Sequence, residues 1–180
     1  MKQIAQFIAL MLVFLWFASC EQKNHTNADV QKEKISSKES LVVANRYLTK
    51  TEDVEIENYI RRHKLNTIAT GSGLRYAVIS KGDGPKPLRG DQVTLNYTTR
   101  LITGDVVYSS AESEPMQFIV GKGGVASGLE EAILQLNHGD QAVIILPSHL
   151  AFGLLGDQVK IPARATVIYE IEFIKLRKND

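Results

Sequence analysis

The stretch from Met116 to Gly139, MQFIVGKGGVASGLEEAILQLNHG, constrains this chain most. It reads as a short strand, a glycine-rich turn and one amphipathic helix. Val125, Leu129, Ala132, Ile133 and Leu136 recur at i, i+4, i+7, i+8 and i+11, an apolar stripe of helical period that commits one face to a core. Gly139 falls just past the stripe, where a left-handed residue commonly ends a helix. Nearly everything else between Leu74 and Leu176 has the pattern of half-buried strand, so one helix has a whole sheet to pack against. The order strands, helix, strands predicts an α+β domain, an antiparallel sheet around a single helix.

Leu74 to Lys81 reads as the first strand of that sheet. Val93, Leu95, Tyr97, Thr99 and Leu101 then alternate along a long one, Thr103-Gly104-Asp105 closes a hairpin, and Val106 to Tyr108 restart the sheet. Ala142 to Leu146 is a continuous apolar run. In the last strand Val167, Tyr169, Ile171 and Phe173 share one face, Glu170 and Glu172 the other. The connection before it, PSHLAFGLLGDQVKIPARA, is longer than usual and often functional when so long. Its apolar members, Leu150, Phe152, Leu154, Leu155, Val159 and Ile161, predict that part of it folds back over a cavity.

The chain ahead of this domain, which is assigned residues 67–178, divides into three. Lys2, the apolar run Ile4 to Phe17 and the small residues before Cys20 have the pattern of a cleaved export signal over residues 1–19. This end resembles a bacterial lipoprotein signal, with Phe17 where that motif more often has leucine. The resemblance implies that Cys20, the only cysteine, is lipidated and holds the protein on a membrane of the bacterial envelope, facing the periplasm. Residues 20–36 are polar with little to bury and are expected to form a flexible tether. Residues 37–66 carry two apolar groups at helical spacing, around Leu41 to Leu48 and Val54 to His63, in two short helices or one bent one, for docking, spacing or dimerisation.

Removing the signal takes Lys2 and no acid, leaving 20 basic against 20 acidic side chains. That balance argues against a nucleic-acid partner, which demands a basic face. GKGGVA at 121–126 fits the dinucleotide fingerprint, but the fingerprint needs a parallel βαβ crossover and a second helix that this pattern lacks. His25, His63, His138 and His149 are scattered without ligand spacing, so neither cofactor nor metal is expected. Glu130 and Glu131, adjacent on the helix, point apart and suit a solvated face. What remains is an apolar pocket without an obvious nucleophile.

The segments NYTTRL, GDVVYSS, FIVGKGGVASGLEEAI, LPSHLAFG and IPARATVIYEIEFIKL, in this order, resemble the FK-binding, immunophilin-type peptidyl-prolyl cis-trans isomerases over about Leu74 to Leu176. The resemblance implies a strongly curved sheet wrapped around the helix, with a substrate pocket between them. It implies catalytic roles for Tyr97, Tyr108, Phe152 and Tyr169, and substrate contacts from Val107, Met116, Phe118, Val125, Ala126, Leu129 and Ile161. Four positions depart from the family pattern: Tyr108 stands where aspartate is usual, Phe152 where tyrosine is, Val107 where phenylalanine is, and Leu129 where tryptophan is. The expected activity is isomerisation of X-Pro bonds in exported, proline-containing polypeptides. A non-catalytic binding or assembly lipoprotein is the alternative that the departures favour. More loosely, the chain is similar to the gliding-motility-associated lipoprotein branch of these isomerases. Nothing in the sequence sets the oligomeric state.

Overall fold

The computed structural model describes residues 27–179, with side chains from residue 38 onward. The signal segment 1–19, Cys20 and the first part of the tether lie outside the described residues. Helix α1 spans Asn27–His63, followed by strands β1 (Ile68–Ala69), β2 (Arg75–Ser80), β3 (Gln92–Leu101), β4 (Val106–Ser109) and β5 (Met116–Ile119). Helix α2 (Ser127–Ile133), β6 (Gln141–Leu146), a 3₁₀ turn (Ser148–Leu150) and β7 (Val167–Arg177) complete the chain.

The seven strands form one antiparallel sheet in the order β1-β2-β6-β7-β3-β4, with β5 also pairing β3. Strands β3 and β7 pair along their whole shared length, from Gln92↔Arg177 to Leu101↔Val167, with a bulge at Thr94/Leu95. On its other edge β3 splits its pairing, its first half meeting β5 and its second half β4. The predicted alternation is realised on β7, where Val167, Tyr169, Ile171 and Phe173 face a core that also holds Val93, Leu95, Ile144 and Leu146.

Helix α2 fills the hollow of the sheet. Leu129, Ala132, Ile133 and Leu136 are all fully buried in that core. The helix is shorter than the stripe suggests, because after Ile133 the chain tightens into i to i+3 bonds, Gln135 N–H to Ala132 O and Leu136 N–H to Ile133 O. Val125 precedes the helix. Gly139, at φ +95°, turns the chain, and the buried Asp140 carboxylate receives the amides of Gly82 and Asn137 at 2.7 and 2.8 Å.

One reading of the N-terminal region changes: where a tether was expected up to residue 36, a helix already begins at Asn27. Of the two short helices or one bent one expected after it, the structure has one helix, which no glycine or proline interrupts before His63. Lys64, at φ +53°, ends it. The chain divides into two units, Met1–Asn45 and Arg46–Asp180. Within the second, α1 lies on the outer face of the sheet. Ile56 and Tyr59 pack on Ile145 and Ile168 in a second buried cluster, and Arg75 is gripped by Asp53 at 2.6 Å and Glu57 at 3.0 Å. Among the described residues no helix is long and apolar enough to cross a membrane.

Candidate functional site

At the mouth of the hollow, beyond the buried end of α2, lies a cavity of about 360 Å³ lined by Met116, Gly124, Val125, Ala126, Ala151, Phe152 and Tyr169. Each wall comes from a different element. Met116 begins β5, Val125 and Ala126 lead into α2, Phe152 stands on the β6–β7 loop, and Tyr169 projects from β7. Of the eleven pocket residues expected from the sequence, these five are brought to one opening.

The other six surround it without lining it. Val107, Phe118, Leu129 and Ile161 are buried in the core cluster. The side chains of Tyr97 and Tyr108 are half-buried and pack against that cluster. Tyr97 also shares a hydrogen bond with Ser113 Oγ at 3.3 Å.

The turn ahead of α2 is held by a residue whose expected place was a solvated face. Glu130 Oε1 accepts the amides of Gly121 and Gly123 at 3.1 and 3.0 Å, because the helix carries it back over the glycine turn. Among the described residues the amides of Val125 and Ala126, next in the chain, form no hydrogen bond with the protein. Both residues line the cavity.

The β6–β7 loop is ordered by its own bonds. Gly153 N–H reaches Ser148 O, Arg164 N–H reaches Gly153 O, and Asp157 N–H reaches Ile161 O. Asp157 is a residue that the sequence reading passed over. One of its carboxylate oxygens collects the amides of Val159, Lys160 and Ile161 at 2.9, 2.9 and 2.7 Å, and the other accepts the Tyr108 hydroxyl. Burial pushes its pKa up, but the Tyr108 hydroxyl and the three amides outweigh that and hold it down at about 2. The same bond pushes the Tyr108 phenol up, with burial adding to it. Lys160 Nζ sits over the Tyr108 ring, 5.1 Å from its centre. An aspartate at the tip of a glycine-bearing turn, GDQVK, was the available signal for this cap.

Gly156 makes the turn possible, since a Cβ there would lie 2.1 Å from Ile161 O, at φ +67°. Part of the loop folds inward, as expected. Leu150, Phe152 and Ile161 pack on the core, whereas Leu154, Leu155 and Val159 are exposed.

The chemistry of the lining is narrow. It carries no carboxylate, imidazole, thiol or aliphatic hydroxyl, and burial pushes the Tyr169 phenol up to about 12, so it stays neutral. Such a wall can exclude water and grip an apolar ring. A second hollow of about 320 Å³ opens on the outer face of the sheet, where Ile79 and Val143 meet Asn96, Tyr97, Glu170 and Glu172, so that two carboxylates stand beside its apolar wall.

Comparison with known proteins agrees with this arrangement. The family described as FKBP-type peptidyl-prolyl cis-trans isomerase matches residues 84–174. The chain is 35% identical over 122 residues to the FKBP-type 22 kDa peptidyl-prolyl cis-trans isomerase of Escherichia coli (strain K12), covering 67% of this chain and 57% of that protein. It thus spans little more than half the length of that relative. It is 38% identical over 106 residues to FK506-binding protein 1 of Rhizopus delemar, covering 58% of this chain and 98% of that one. In fold it is similar to a peptidyl-prolyl cis-trans isomerase from Pseudomonas syringae pv. tomato, with a TM-score of 0.64 at 24% identity, over 74% of this chain and 96% of the other. With the family match running across the sheet, the helix and the loop that together form the cavity, the chain belongs to the FKBP-type peptidyl-prolyl cis-trans isomerase family.

Proposed function

We propose that this protein is a peptidyl-prolyl cis-trans isomerase, anchored through Cys20 to a membrane of the bacterial envelope and acting on exported, proline-containing polypeptides. The observation that carries the catalytic part is the cavity bounded by Met116, Val125, Ala126, Phe152 and Tyr169. Turning an X-Pro bond passes through a twisted amide about 18–20 kcal/mol above the planar form, where resonance is lost and the carbonyl is less polar. A dry apolar wall therefore disfavours the twisted state less than the planar one, relative to water. Burial of the prolyl ring against Phe152 and Tyr169 supplies binding energy that the twist can use. The free amides at Val125 and Ala126 offer a donor to fix the substrate chain beside the turning bond. No bond is made or broken, so the site needs no nucleophile.

Tyr97, Tyr108, Val107, Phe118, Leu129 and Ile161 have a supporting part in this reading: they form the floor and flanks that hold the lining in place. The anchor, the periplasmic setting and the gliding-motility-associated branch rest on the sequence before residue 27 and on the arrangement of the chain.

A second reading is favoured by Phe152, which lacks the hydroxyl usual at that position of the family: a binding lipoprotein that holds a proline segment without turning it. Protease-free exchange on a proline peptide, with refolding of a proline-limited protein, separates the two. Turnover well above the buffer rate is expected, and Phe152→Tyr should raise kcat/KM about two- to tenfold, the worth of one hydrogen bond. A wild-type rate equal to buffer, with strong turnover only in Phe152→Tyr, establishes the binding reading instead. For the anchor, palmitate label should be incorporated by the natural chain and absent from Cys20→Ala.

A further inference from the structure

We propose that Glu52, on helix α1, is a positioning residue for the loop that carries Phe152; the proposal rests on the isomerase reading for its catalytic consequence. Glu52 lies on the outer face of the sheet, away from the cavity. Its carboxylate nevertheless receives hydrogen bonds from both feet of the loop. Ser148 N–H donates to Oε1 at 2.6 Å and Ser148 Oγ–H to Oε2 at 3.1 Å. Thr166 Oγ1–H donates to Oε1 at 2.8 Å.

The position of these bonds matters. The β6–β7 ladder ends at the pair Leu146↔Val167, so Ser148 and Thr166 stand just beyond the last rung. The carboxylate bridges the two departing strands where backbone pairing stops. Thr166 is only 4% exposed, which leaves its hydroxyl little water to turn to.

From Ser148 the constraint passes to the cavity in one step. Ser148 O accepts the amides of Ala151 and Gly153, the residues on either side of Phe152, and Leu150 O accepts Ser127 Oγ–H at the start of α2. Rotation of Ser148 therefore moves Phe152 against Val125 and Ala126. Glu52 is in turn held by its helix, through Ile56 and Tyr59 on the sheet and Asp53 and Glu57 on Arg75. The docked part of α1 acts as a strut whose end fixes the neck of the loop.

A bridge of this kind differs from ordinary helix docking in what its removal changes. Releasing the neck lowers the fraction of molecules whose loop is ready to receive substrate, which raises KM and leaves kcat, since bound peptide restores the order. In the full-length protein, Glu52→Ala should raise KM about five- to tenfold with kcat within about twofold. Amide exchange across residues 148–166 should speed up roughly tenfold. Glu52→Gln, which keeps an acceptor for Ser148 N–H and Thr166, should restore most of both. Glu57→Ala, which weakens docking on Arg75 without touching the loop, should change neither.

The proposal is overturned if exchange in 148–166 is unaltered in Glu52→Ala, if Glu57→Ala reproduces its effects, or if kcat falls while KM stays. If Glu52→Ala does not fold, Thr166→Val removes the donor at the other foot and must give the same faster exchange. A wild-type protein without turnover removes the isomerase reading alone, because amide exchange still decides whether Glu52 orders the loop.

Discussion

Asp157 and Tyr108 join the β6–β7 loop to strand β4 through one hydrogen bond beside the core. The family pattern places aspartate on β4, where this chain has Tyr108; here the carboxylate comes from the loop and the hydroxyl from the strand. The arrangement makes the loop sensitive to acid. The Asp157 carboxyl falls from the ordinary 3.8 to about 2 on folding, so the folded state prefers its ionised form. Its contribution to stability is complete above about pH 4 and is lost as the pH falls through about 2. Asp91 titrates in the same range, held at about 2 by the Leu88 amide, Lys178 and the Asn179 amide. The thermal midpoint of the natural protein should therefore drop steeply between pH 4 and pH 2. Asp157→Asn should flatten that limb in part, leaving the share due to Asp91. Parallel acid limbs in the two proteins would sink this assignment.

Among the elements, α2 is placed by close approach as much as by its stripe. Gly128 abuts the loop and β6: a Cβ there would lie 2.6 Å from Leu146 Cδ2 and 2.9 Å from Leu150 Cβ. Alanine would gain roughly 0.5–1 kcal/mol in helix propensity, but overpacking a full core costs about 1–3 kcal/mol. Overpacking should win, because Leu146 is fully buried and has no room to swing. Gly128→Ala is expected to lower the denaturant midpoint and to displace the 3₁₀ turn below Phe152; an equal or higher midpoint would show that the loop yields freely. Strand β6 carries a different message. Its run Ala142 to Leu146 lacks the alternation of an antiparallel strand with one wet face. The reason is that Ala142, Ile144 and Leu146 face the main core while Ile145 packs under α1. That apolar run was the visible sign that something covers the outer face.

For the molecule as a whole, β6 and β7 carry both buried clusters on opposite faces, Ile145 and Ile168 toward α1 and Ile144 and Tyr169 toward α2. Neither cluster can open without disturbing the strands of the other. Ile56→Ala and Leu129→Ala, one from each cluster and both essentially unexposed, should each cost about 2–5 kcal/mol. Each should shift one common transition, seen alike by far-UV dichroism and by the near-UV signal of the tyrosines. Two separated transitions would mean that the clusters are independent. The sequence alone was sufficient for the α+β class, the helix stripe from Leu129 to Leu136, the inward face of β7 and the family, because period and motif order are local properties that burial enforces. It also supplied the five residues that meet at the cavity, through a family pattern that keeps their order. Only the tertiary structure decided which expected residues line the opening and which lie beneath it, since depth depends on how far the sheet curls. The same holds for Asp157 against Tyr108 and Glu52 between Ser148 and Thr166. Those bonds join positions 49, 96 and 114 residues apart, and a hydrogen bond across such separations leaves no period in the chain for a reader to find.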